Sequence, residues 1–183
     1  MKKILLICAF GLILQSVYAQ KYFTKEGKVN FVSKTSIEKI EGFNSKATSV
    51  LDVASASVEW GVLIKAFRFE KALMQEHFNE NYMESAKFPK AIFKGKINNV
   101  GAINFAEDGE YNVTVSGNLE MHGVTKPVTT KAKFTVKSGK ITATSTLKVL
   151  VADHNISIPS VVKDKIAKEV DITIEANYES LNQ

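Results

Sequence analysis

Apolar and polar residues alternate almost without a break across the second half of the chain, and that pattern leaves few folds open. Tyr111, Val113, Val115, Gly117, Leu119 and Met121 share one parity, and Asn112, Thr114, Ser116, Asn118, Glu120 and His122 share the other. A period of two sends successive side chains to opposite faces, so the segment reads as a strand with one dry face and one wet face. The same holds for Val128, Thr130, Ala132, Phe134 and Val136, for Ile141, Ala143, Ser145, Leu147, Val149 and Val151, and for Val170, Ile172, Ile174, Ala176 and Tyr178. Asp108-Gly109, His122-Gly123 and Ser138-Gly139 fall between strands, where a tight reversal needs positive φ, so neighbours should run antiparallel. Less regular apolar runs over 28–33, 37–51, 57–69 and 90–99 bring the expected strands to eight. Eight antiparallel strands with one apolar face each predict an all-β barrel or sandwich.

Two stretches depart from the alternation. Over 70–79, Leu73, Met74 and Phe78 take helical spacing, and a second short helix is expected from Pro159 through Lys168 with Val162 and Ile166 on one face. Both are too short to be stable alone, so each must pack on the barrel as a plug or a lid.

The N-terminus has a different grammar. Lys2 and Lys3 precede an apolar run from Ile4 to Leu14, and Val17 and Ala19 supply the small residues of a cleavage site before Gln20. Residues 1–19 are therefore expected to be a secretory signal peptide, with residues 20–183 as a single exported domain, periplasmic or secreted. Cys8, the single cysteine, lies in this segment, so the mature fold must stand on its own core without disulfides. Ile7 before Cys8 does not suit a lipoprotein anchor. Losing Lys2 and Lys3 lowers the formal charge from +5 to +3, too small an excess to argue for nucleic acid.

Aromatic residues concentrate between 60 and 93. Trp60, Phe67, Phe69, Phe78, Tyr82, Phe88 and Phe93 are joined there by Leu63, Leu73, Met74 and Met83. Between 60 and 69 both parities become apolar, so this edge must be covered twice. Such clusters are usually core, and the alternative is that part of this one lines a ligand cavity. A barrel of eight strands is either filled by its own side chains or holds one small ligand, and periodicity does not decide between them.

Two motifs carry a resemblance. The segment from Glu76 through His77, Phe78, Tyr82, Phe88, Pro89 and Ala91 to Phe93 resembles the "H-hydrophobic, then F/Y-P-x-A-x-F" signature of the YceI-like family of exported bacterial lipid-binding proteins. Gly117-Asn118-Leu119-Glu120-Met121-His122-Gly123-Val124-Thr125-Lys126-Pro127-Val128 resembles that family's "G-x-L-x-hydrophobic-x-G-V-T-K-P-V" hairpin. The resemblance implies a lipocalin-like, eight-stranded antiparallel barrel whose apolar pore takes an isoprenoid quinone, a polyprenyl lipid or another long-chain lipid, with room for transient membrane contact. Phe93 is the residue the motif itself assigns to the pocket. Trp60, Phe67, Phe69, Leu73, Met74, Phe78 and Met83 are further lining candidates from the clustering. Arg68, the single arginine, stands between two phenylalanines; it either grips a polar head group at the pore mouth through forked hydrogen bonds or reaches solvent near Glu70.

Catalytic and metal chemistry find little support. His77, His122 and His154 show no metal-ligand spacing, and Asp153-His154 offers a carboxylate–histidine pair without a marked nucleophile. There is no G-x-S-x-G, no phosphate-binding glycine loop and no C-x-x-C. No cofactor is expected. The readings that remain are a non-enzymatic lipid carrier, an envelope interaction module with a filled barrel, and, third, a lipid-modifying enzyme.

Overall fold

The computed structural model describes residues 21–181, so the signal-peptide expectation and Cys8 lie outside the described residues. Eight antiparallel strands close into a barrel in chain order: β1 (Lys21–Lys34), β2 (Lys39–Asp52), β3 (Ser57–Leu63), β4 (Lys90–Ile97), β5 (Gly109–Met121), β6 (Val124–Lys137), β7 (Lys140–Leu150) and β8 (Glu169–Ser180). β8 returns to pair with β1, for example Ile172 opposite Phe31, and closure leaves no free sheet edge.

From β5 to β8 the alternation of the sequence is the alternation of the structure, and the odd-numbered positions of β5 and β7 face inward. His122-Gly123 and Ser138-Gly139 form the expected two-residue hairpins, with φ of 51° and 73° in one and 50° and 76° in the other. Asp108-Gly109 does not form a third. β4 and β5 are joined by the longer segment 98–108, and Asp108 accepts a hydrogen bond from the amide of Ser138 at 2.7 Å.

A phase change within β1 and another just after β3 hid where these two strands begin and end. β1 begins at Lys21, seven residues ahead of the expected run, because irregular pairing about Gly27 carries the buried set from Tyr22 and Thr24 to Gly27 and Val29. β3 ends at Leu63 instead of Phe69. There Asn44, buried in β2, donates from Nδ2 to the carbonyl of Leu63 at 2.9 Å, and a turn of 3-10 helix at Ile64–Ala66 follows. That turn moves the inward set from Trp60, Val62 and Ile64 to Phe67 and Phe69, which is why both parities read as apolar.

Because all neighbours are antiparallel, the connections 35–38, 64–89, 122–123 and 151–168 gather at one end of the barrel. Helix α1 (Ala72–His77) lies in the second of these, followed by a wider turn, Phe78–Tyr82, that carries the helix past residue 79. The helix expected from Pro159 is reduced to a short 3-10 turn, Ser160–Val162. Beyond it the amide of Ala167 donates to Ser33 Oγ at 2.9 Å, tying the segment to β1. The opposite end is packed shut. Leu51, Ile97, Ile103, Val113, Val136 and Ile141 are buried there in one cluster, with Phe105 laid against it from the 98–108 connection.

Candidate functional site

Inside the barrel lies an apolar cavity of about 360 Å³. Its floor is made by Val58, Phe134, Ala143 and Tyr178, and its walls by Val29, Val62, Leu119, Leu147, Ile172 and Ile174 among others. Toward the end that carries α1 it is bordered by Met74, His77, Phe78 and Tyr82 from the 64–89 connection and by Ile158, Val162, Lys165 and Ile166 from the 151–168 connection. A space of this size would take on the order of ten waters, and apolar walls offer them few hydrogen bonds. It therefore favours a ligand that is itself apolar.

The interior is hollow because large rings lie flat against the wall. Phe93 and Trp60 are direct cross-strand partners on the inner face. Phe93 folds over the facing pair Gly95 and Gly117; a Cβ on Gly117 would stand 2.8 Å from the Phe93 ring and 2.3 Å from the carbonyl oxygen of Lys94. Trp60 rests on Gly27, where a Cβ would meet the indole at 2.6 Å. Without side chains at these glycines, the rings need not cross the middle.

The cover on the α1 side is held by aromatic contacts. Phe78 stacks on Phe31 of β1 with centroids 5.4 Å apart and meets Phe67 and Phe69 at 5.4 and 5.0 Å. The exit from this cover is tied down through Glu84. Its carboxylate lies 2.8 Å from His122 Nε2, while His122 Nδ1 donates to the carbonyl of His154 at 2.9 Å. Buried His154 in turn directs Nδ1 at the carbonyls of Met121 and Val124, at 3.2 and 3.1 Å. The three residues join the α1 exit, the β5–β6 hairpin and the segment after β7. His154 thus bonds to main chain and does not turn to Asp153.

Of the expected lining residues, Trp60, Phe67, Phe69, Met74, Phe78, Met83 and Phe93 are brought together around the cavity. Arg68 and Leu73 are not. Arg68 pairs through its backbone with Phe43, so the extended alternation that turns Phe67 and Phe69 inward turns its side chain out, where the guanidinium donates to the carbonyls of Lys65 and Phe67. Leu73 sits on the solvent face of α1. Tyr82, noted in the aromatic cluster, also lines the cavity, and so do Phe31, Leu147 and Ile172, which were not named as candidates. The last two were readable as inward positions of β7 and β8, whereas Phe31 lies past the phase change in β1.

Burial shapes the two tyrosines of the site. It raises the Tyr82 phenol above its usual range and pushes Tyr178 up to about 12, against a smaller opposing effect of the hydrogen bond to Ser49 at 2.8 Å. Both stay neutral at ordinary pH. Glu38, His77 and Lys165 are the other ionisable residues on the wall, all in the connections that form the mouth. Among the described residues, no group of three or more His, Cys, Asp or Glu side chains is placed to hold a metal.

The barrel is similar to several solved structures. A polyisoprenoid binding domain from Saccharophagus degradans superposes with a TM-score of 0.77 at 15% identity, covering 88% of this chain and 99% of that one. BcnA from Burkholderia cenocepacia gives 0.67 at 22% identity, with 84% and 96% covered. The YceI protein of Campylobacter jejuni gives 0.59 at 18% identity, with 78% and 85% covered. No curated protein matches the chain. At such identities these likenesses speak to the fold. The YceI-like domain itself matches residues 22–178, nearly the whole described chain, and on that match the protein belongs to the YceI-like family.

Proposed function

We propose that the protein is an exported, non-enzymatic carrier that sequesters the tail of an amphiphilic isoprenoid lipid inside its barrel. The observation that carries this reading is the cavity of about 360 Å³, lined mainly by apolar side chains, with Thr130 and Ser145 among them, and bordered by ionisable residues at the mouth. Burying a hydrocarbon chain gains about 0.8 kcal/mol per CH₂-sized unit, so a few isoprene units offset the cost of immobilising the ligand without many polar contacts. The Saccharophagus degradans domain, described as polyisoprenoid binding, supports this class of ligand. The leader-like sequence of residues 1–19 supports export.

The test is mass spectrometry of organic extracts from protein purified out of its native host under gentle conditions. A prenyl lipid in near-stoichiometric amount is the expected result. A clean blank, together with failure of the purified protein to take up an added isoprenoid quinone, would return the protein to the reading of an envelope module without a ligand.

A further inference from the structure

We infer that the rim of the mouth is a docking surface for a phospholipid bilayer of little net charge; the inference rests on the carrier reading and adds where the lipid is handed over. Among the described residues, eight large apolar side chains are exposed. Val50 and Leu181 lie toward the closed end, while Ile37, Phe43, Leu63, Leu73, Leu150 and Val161 lie toward the mouth. Three of these six project from three separate connections: Ile37 between β1 and β2, Leu73 on α1, and Val161 between β7 and β8, with 64%, 60% and 87% of their surfaces in water. Exposed apolar residues gathered around an opening, and not scattered singly, mark a surface that meets something apolar.

The occupant follows from the cavity. Its floor is packed, so a lipid enters and leaves through the mouth alone, and any tail drawn into water loses what burial gave it. A mouth whose rim sits in the interfacial layer of a bilayer lets the tail pass between two apolar environments. The charges around the rim fit a neutral interface. Each of the three apolar tips has both signs within three residues: Lys34, Lys39 and Glu38 about Ile37; Lys71, Glu70 and Glu76 about Leu73; Lys163 and Asp164 about Val161. Attraction to an anionic polymer or a strongly anionic membrane would need an excess of lysine that this rim lacks, and the lysine stems can lie along the interface with their ammonium groups in water.

The test uses the 20–183 chain loaded with phylloquinone and mixed with phosphatidylcholine vesicles carrying a pyrene lipid that the quinone quenches. Docking predicts a transfer rate that rises in proportion to vesicle concentration and is little changed by salt. Replacing Ile37, Leu73 and Val161 together (Ile37→Ser, Leu73→Ser, Val161→Ser) should slow transfer by about tenfold while leaving melting temperature and phylloquinone affinity as they were. A rate independent of vesicle concentration, or a triple variant that transfers like the parent, overturns the proposal. So does transfer that requires anionic lipid and disappears at high salt. Flotation of the unloaded protein with the same vesicles reads the surface without any ligand: the parent should float and the triple variant should not. Failure to bind phylloquinone before vesicles are added would instead count against the carrier reading.

Discussion

If the barrel is hollow toward the mouth and solid toward the floor, the same truncation must cost different amounts at the two ends. Ile141 and Leu147 lie on one face of β7, six residues apart. Ile141 is 2% exposed within the packed cluster, whereas Leu147 faces the cavity. Ile141→Ala removes buried carbons and leaves a new void in rigid surroundings, a loss of about 2–5 kcal/mol. Leu147→Ala enlarges a void that already exists, so only the transfer part for a half-buried side chain is lost, about 1 kcal/mol. For a domain of this size, that separates a fall in melting temperature of about 4–20 °C from one of about 2–4 °C. Calorimetry or urea unfolding of the ligand-free protein reads the difference, and Val136→Ala against Ile172→Ala gives a second pair with the same logic. Phylloquinone binding should invert the order, with Leu147→Ala weakening affinity about fivefold through lost contact with the tail and Ile141→Ala leaving it unchanged. Equal losses of stability at the two positions would mean that Leu147 is packed as tightly as Ile141, and the hollow-barrel reasoning would fall.

Other perturbations probe separate parts of the argument. Burial holds the Tyr178 phenol protonated, so the stability it contributes is complete below pH 10 and is lost as pH rises toward about 12, a change of about 2–3 kcal/mol; Tyr178→Phe should flatten the urea midpoint across that interval, and parallel curves for the two proteins would refute the assignment. Gly117→Ala drives a Cβ to within 2.3 Å of the Lys94 carbonyl and 2.5 Å of Gly95 Cα, so the β4–β5 pairing must shift, at about 1–3 kcal/mol by denaturant titration. Gly101→Ala, with nothing within 4 Å, is the control and should stay within about 0.5 kcal/mol. Arg68→Met should leave phylloquinone affinity unchanged in equilibrium titrations, because the guanidinium bonds to main chain outside the cavity; a large loss would place it at the mouth after all.

What could be read in advance depended on whether a strand kept its phase. β5 to β8 do, and their inward residues follow from parity alone. β1 slips about Gly27, and the path after β3 slips at the Ile64–Ala66 turn, where contacts far along the chain decide the phase, such as the Asn44 side-chain amide donating to the Leu63 carbonyl. Of the two readings of Arg68, the structure has the solvent one: its neighbours Phe67 and Phe69 are apolar as expected, and a backbone bridge to Phe43 sets the direction of the alternation. Leu73 was misplaced because a helix of six residues has too few apolar positions to fix which face it buries. The helix expected from Pro159 shrinks to the Ser160–Val162 turn, and the segment is then tied to β1 by a hydrogen bond from Ala167 to Ser33. The clustering of aromatics located the cavity's neighbourhood, yet whether rings fill a barrel or line it depends on their meeting glycines on other strands. Phe93 over Gly117 and Trp60 over Gly27 are contacts between residues well separated in sequence, and no periodicity reports them.

The solid floor beneath Tyr178 and Phe134 also makes the barrel a gauge of length. On the proposed carrier function, a tail would slide in until its end touched those rings, and whatever exceeded the depth would stay outside together with the polar group. Short chains would sink out of reach of the rim, and very long ones would trail a greasy remainder that water penalises, so an intermediate length should be held best. Moving the floor upward by one bulky side chain would then shorten the preferred guest without touching the part of the protein that meets its head.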